Sequence, residues 1–223
     1  MSAEAQPEAT PSRQKEWWLR ALAVFQAPRA VFAALRDQSE EDMNAREEPV
    51  LALIVLAGIA GILLAPATGR LLDEDLVRDS IPVLGVLLFL SGAIYGIVTY
   101  WVGGAALYVG LRGAGSQGSY RRTRHVFAFS VAPMVLGLVL VWPARLLVYG
   151  LDSFRTGGAD EGLGPRLFDL ASTGFVLWSL GLLVYGLAVV ERWRPGRALV
   201  AVALALLAVL VLAFPFVVTV ASR

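Results

Sequence analysis

The chain has no cysteine, a single histidine and, apart from Lys15, no lysine. Without cysteine there is no disulfide framework, no thiolate metal site and no thiol redox chemistry. His125 alone cannot supply a histidine zinc site or the paired imidazoles of a zincin, so no metal, cofactor or catalytic residue is expected. Acids are missing from the interior of every long apolar run, with Asp169 and Glu191 falling only at predicted ends. A proton- or sodium-coupled transporter would therefore lack its usual carboxylates. Nor does either sign of charge dominate: 19 basic residues oppose 18 acidic ones, for a formal charge of +1. Duplex nucleic acid, which needs a concentrated basic surface, is excluded as a partner.

What is abundant is apolar surface. At 223 residues, with 57% hydrophobic and 17% charged, the chain is too apolar for a soluble domain of its size. Arginine in place of lysine, with heavy use of Ala, Gly, Val and Leu, points to a GC-rich bacterial genome. Five apolar blocks are long enough to cross a bilayer. They run from Val50 to near Pro66, Ile81 to Leu111, His125 to Gly150, Leu167 to Val190, and Ala198 to Val220. The expected fold is all-α: a polytopic five-helix transmembrane bundle over 49–220, preceded by an amphipathic segment. The second block, roughly 31 residues, exceeds the ~20 needed to cross and must tilt or project. Ala57, Gly61 and Ala65 in the first block and Gly92 with Gly96 in the second are spaced for close helix approach.

Residues 1–16 hold Pro7, Pro11 and acids but no apolar run, and are expected to be a disordered tail rather than a secretory signal. From 17 to 38, Trp17, Trp18, Leu22, Phe25, Phe32 and Leu35 recur at mostly helical spacing beside Arg20, Arg29 and Arg36. Pro28 divides this stretch into two short helices. Such a face either lies in the lipid interface or packs on the protein's own loops. Ser39 to Glu48 reads as a solvated acidic linker.

The loops orient the chain. Arg112, Arg121, Arg122 and Arg124 sit in one loop without an acid, and Arg192, Arg194 and Arg197 in another; the loop holding Asp73, Glu74, Asp75 and Asp79 is net acidic. The positive-inside rule then puts the amino terminus and the basic loops in the cytoplasm and the carboxyl terminus outside, in the bacterial inner membrane.

Few motifs carry chemistry. Gly113, Gly115 and Gly118 fit the spacing of a dinucleotide fingerprint, but between two membrane helices, without a strand, they are expected to be a flexible loop. Ser116 lacks the first glycine of a nucleophile elbow. His125 is expected to be an interfacial anchor, and Arg145 to snorkel from the outer end of the third block. Pro133 and Pro215 are expected to be packing kinks.

The segment APRAVFAAL, with Pro28, Phe32 and Leu35, and the segment GSYRRTRHVFAFSVAPMVLG, with Tyr120, Arg121, Phe127, Ala128, Ala132 and Pro133, resemble the Yip family of Rab-interacting membrane proteins, in its bacterial branch. The resemblance spans residues 17–220 and implies five spans with an inside amino terminus. Eukaryotic relatives engage Rab GTPases, but their DLYGP-type segment is missing here, so a Rab-type partner is not expected. The expected role is that of a non-enzymatic inner-membrane scaffold. Trp17, Trp18, Phe25 and Arg29 would contact the interface, and Arg121, Arg122 and Arg124 would meet anionic lipid, another membrane protein or a second copy of the chain. The rival reading is a subunit of a small-solute transporter or channel, using a cavity among the polar aromatics of the second block and the kink at Pro133.

Overall fold

Three short helices and five apolar spans follow one another in the computed structural model, which describes residues 11–65, 81–154 and 162–221. The short helices are α1 (Pro11–Ala23), α2 (Pro28–Ala34) and α3 (Glu40–Ala45). The spans are α4 (Glu47–Leu64), α5 (Ile81–Gly113), the pair α6 (Tyr120–Ser130) and α7 (Ala132–Tyr149), α8 (Leu163–Glu191) and α9 (Pro195–Ala221). A 3-10 turn, Gly150–Phe154, follows α7. Residues 1–10, the acidic loop at 70–79, Arg155, Asp160, Glu161 and Arg223 lie outside the described residues.

Helix α1 begins at Pro11, inside the stretch expected to be a tail. Ser39 to Glu48 is not a solvated linker either. The Ser39 side chain accepts from the Asp42 N–H and caps α3, and the carboxylates of Glu40, Glu41 and Asp42 crowd its first turn, where the helix dipole favours them. Asp42 and Arg46 are both buried.

Backbone proximity holds the spans together, as expected where lipid removes the hydrophobic drive between helices. Helices α4 and α5 meet at Gly58, Gly92 and Gly96: a Cβ on Gly58 would stand 2.6 Å from the Gly96 Cα. The closest approach is thus one residue beyond Ala57, on a face the small-residue spacing of the first block only adjoins; Gly61 instead leaves room for the Tyr95 ring. Helix α5 meets α9 where a Cβ on Gly110 would lie 2.7 Å from the Ala205 nitrogen. Helix α2 sits on α8 in the same way, with the Phe32 ring over Gly186.

The third span, Tyr120–Tyr149, is interrupted at Val131, next to Pro133. Ser130 donates its hydroxyl back to the Val126 carbonyl at 2.7 Å, and Pro133 cannot give an N–H to the preceding turn. Helix α6 therefore stops at Val131 and α7 restarts, with Met134 and Val135 donating to the Val131 carbonyl. Pro143, by contrast, is carried inside α7.

Candidate functional site

At the end of the bundle that bears the arginine loops, α1 to α3 close over the spans. The centre of this cap is Trp17, which is fully buried and packs on Phe129 with ring centroids 5.5 Å apart. Its indole donates to Asp42 at 3.0 Å, and the guanidinium of the fully buried Arg46 lies 5.3 Å from its ring and 3.7 Å from the same carboxylate. Arg46 also donates to the Asp37 carbonyl at 2.8 Å, while Arg20 covers the outer side of the indole at 4.6 Å. The Asp37 carboxyl, accepting from the Ser39 N–H, is held below its usual range. A buried Asp–Arg pair with an indole between the chain segments is a structural clasp, since either charge alone would be costly there.

The expected interfacial contact of Trp17 is therefore corrected: its side chain is in the core. Phe25 is half-buried, edge-on to Trp178 at 5.6 Å. Trp18, with Leu19 and Leu22, is exposed on the other face of α1. The amphipathic segment thus packs on the bundle with one face and keeps an apolar strip outside.

The arginine loop is equally divided. Ser119 caps α6, and successive positions turn about 100° apart, so the three arginines point to three different neighbours. Arg121 pairs with Glu47 and reaches Asn44 at 3.4 Å. Arg122 pairs with Glu191, whose other oxygen accepts from the Ser116 hydroxyl at 2.7 Å. Arg124 lies against Trp101, Tyr120 and Tyr100, at 3.7, 4.7 and 5.0 Å from their ring centres. Gly104 leaves the space its stem fills, since a Cβ there would stand 2.5 Å from the Arg124 Cγ. All three side chains are engaged by neighbours within the protein.

The Gly-rich loop is pinned. Gly115 has φ of 87°, open to glycine at little cost, and Arg197 donates to the Ala114 carbonyl at 2.9 and 2.7 Å. Ser116 is buried, accepting from the Gly118 N–H while it donates to Glu191. His125 is also buried rather than interfacial. At the far end of the bundle Arg145 pairs with Asp169 at 2.7 Å across α7 and α8 and lies 5.3 Å from the Trp142 ring.

The cations left over form a groove that the charge count missed. Arg29, Arg36 and Arg192, with Tyr185 and Trp193, line an open depression of about 610 Å³. Arg36 donates to the Val189 carbonyl, and its Nε is buried without a partner. Arg29 and Arg192 have no acidic partner among the described residues. Arg192 ends α8 in the left-handed conformation, φ 56°, with its N–H on Ala188 and Val189. Of the expected site residues only Arg29 belongs to this groove. Arg36 and Arg192 are separated from each other by most of the chain, and each has an acid beside it in sequence, Asp37 and Glu191, so no sequence signal singles them out.

The family model described as Yip1 domain matches residues 22–217. No curated protein and no solved structure matches the chain. The match takes in α2, the arginine loop, the break at Val131 and all five apolar spans, and on it the chain is an integral, multi-pass membrane protein that belongs to the Yip1 domain family.

Proposed function

We propose that the protein is a non-enzymatic scaffold of the bacterial inner membrane, with its arginine-rich end in the cytoplasm, that holds anionic lipid in the groove of Arg29, Arg36 and Arg192. The observation that carries this reading is the convergence of three guanidiniums with no carboxylate lining the groove. Guanidinium is the side chain best matched to phosphate oxygens, and each such cation near an anionic leaflet contributes about 1 kcal/mol. Trp193 and Tyr185 add rings of the kind that settle at headgroup level. The exposed strip of Trp18, Leu19 and Leu22 offers an apolar anchor at the same end.

The purified full chain in neutral detergent, titrated with phosphatidylglycerol, tests this. Bound lipid is read by native mass spectrometry and by the rise in Tm that any ligand of the folded state produces. Phosphatidylglycerol should be retained over phosphatidylcholine, and Arg29→Gln with Arg192→Gln should abolish the difference. An unchanged preference in that double variant overturns the reading.

The transporter alternative would use the cavity of about 170 Å³ between α5 and the break at Val131. Its only polar side chains are Tyr95 and Thr99, which favours the scaffold. Solute flux by the reconstituted protein, lost in Tyr95→Phe or Thr99→Val, would reverse that preference.

A further inference from the structure

A second cleft, of about 670 Å³, opens sideways between α4 and α5 at the arginine-rich end. Its lower wall is aliphatic, with Leu51, Ile54 and Ile97; Leu51 and Ile97 continue onto the exposed outer face of the spans, where acyl chains lie. Its upper wall is charged in both signs, with Glu47, Glu48, Arg121 and Arg124. Arg121 and Glu47 neutralise one another. What remains is one guanidinium, Arg124, and one carboxylate, Glu48, neither with an ion partner among the described residues.

Arg124 is preorganised. Three aromatic rings surround its guanidinium and Gly104 seats its stem, so little side-chain freedom is left to lose on binding an anion. Beside it His125, only 2% exposed, closes the back of the cleft, its Nδ1 without a hydrogen-bond partner among the described residues. A buried polar atom left unsatisfied in a folded protein is unusual and costly.

We propose that this cleft holds one zwitterionic, amine-headed glycerophospholipid: phosphate on Arg124, ammonium on Glu48, and an acyl chain along Leu51 and Ile97. The balance of charge in the lining disfavours a net anion, which would gain from Arg124 but face Glu48 unpaired. Among zwitterions, a primary ammonium can donate hydrogen bonds to the Glu48 carboxylate and a trimethylammonium cannot. The site shares no residue with the Arg29 groove, so the two readings stand or fall separately.

Competition on the purified full chain tests the assignment, with phosphatidylethanolamine, phosphatidylcholine and phosphatidylglycerol of the same acyl composition and native mass spectrometry as readout. To keep the two sites distinct, Arg29→Gln and Arg192→Gln are present throughout. Phosphatidylethanolamine should be retained best. Glu48→Gln, at an exposed position, should cut its preference over phosphatidylcholine about fivefold, the loss of the charge-assisted hydrogen bonding that a primary ammonium offers and choline does not. Leu51→Trp, or Ile97→Trp should the first not fold, should displace lipid of every headgroup. Equal retention of the ethanolamine and choline lipids, or phosphatidylglycerol bound more tightly than either, overturns the proposal. Displacement of the lipid by soluble glycerophosphoethanolamine at the same concentration also overturns it, since the acyl track would then contribute nothing.

Discussion

Arg121, Arg122 and Arg124 stand beside one another in the chain, whereas Arg29, Arg36 and Arg192 come from three separate places, yet it is the scattered set that forms a cationic groove with no carboxylate in its lining. The adjacent three are each turned to a different neighbour and engaged there by a carboxylate or by aromatic rings. The scattered three share a groove that no acid enters. Linear clustering of charge therefore measures topology, through the positive-inside rule, but not availability. Availability depends on what the fold brings opposite each side chain.

That contrast can be broken at several points. The largest effect is expected for the buried clasp. Asp42→Ala leaves Arg46 as an uncompensated buried charge and should cost about 3–5 kcal/mol, read as a large fall in Tm in detergent. A change no larger than that of Arg29→Gln would mean that the cap is not held as described. Next is Glu191→Ala, which strips Arg122 and the Ser116 hydroxyl of their acceptor at once. It should cost about 2 kcal/mol while leaving phosphatidylglycerol binding intact; a matching loss of lipid binding would place Arg122 among the free cations instead.

Arg192→Gly separates the two properties most sharply. Glycine adopts φ of 56° without the strain an arginine bears, so Tm should rise by the equivalent of about 1 kcal/mol even as affinity for phosphatidylglycerol falls about fivefold. If stability and binding move together, the groove is not a separate device. Smallest is Glu47→Gln. The Arg121–Glu47 pair is largely exposed, at 30% and 59%, so thermal stability should shift by less than about 1 kcal/mol.

The five spans and their ends were legible because bilayer thickness imposes a length on an apolar run, and arginine loops punctuate the runs. Helix α5 was even recognisable as too long. The cap was not legible, for a physical reason. Between Ser39 and Glu48 the composition is that of a solvated loop, and only the tertiary fold supplies the indole, the dipole and the guanidinium that let Asp42 and Arg46 be buried. A serine three residues before Asp42, and Arg46 four residues after it, were the signals available, and both occur commonly on solvent-exposed helices. The break at Val131 was foreshadowed by Pro133, but its position also needed Ser130 to turn its hydroxyl back on the helix. The groove residues had no motif because their only shared property is spatial.

The unequal length of α4 and α5 has a consequence for the bilayer itself. With 18 and 33 residues, these neighbours are about 27 Å and 50 Å long, and the Gly58–Gly96 contact prevents them from sliding apart. Where α4 is matched to a hydrocarbon layer of ordinary depth, the helix locked against it must lean, project beyond that layer or draw the lipids up around it.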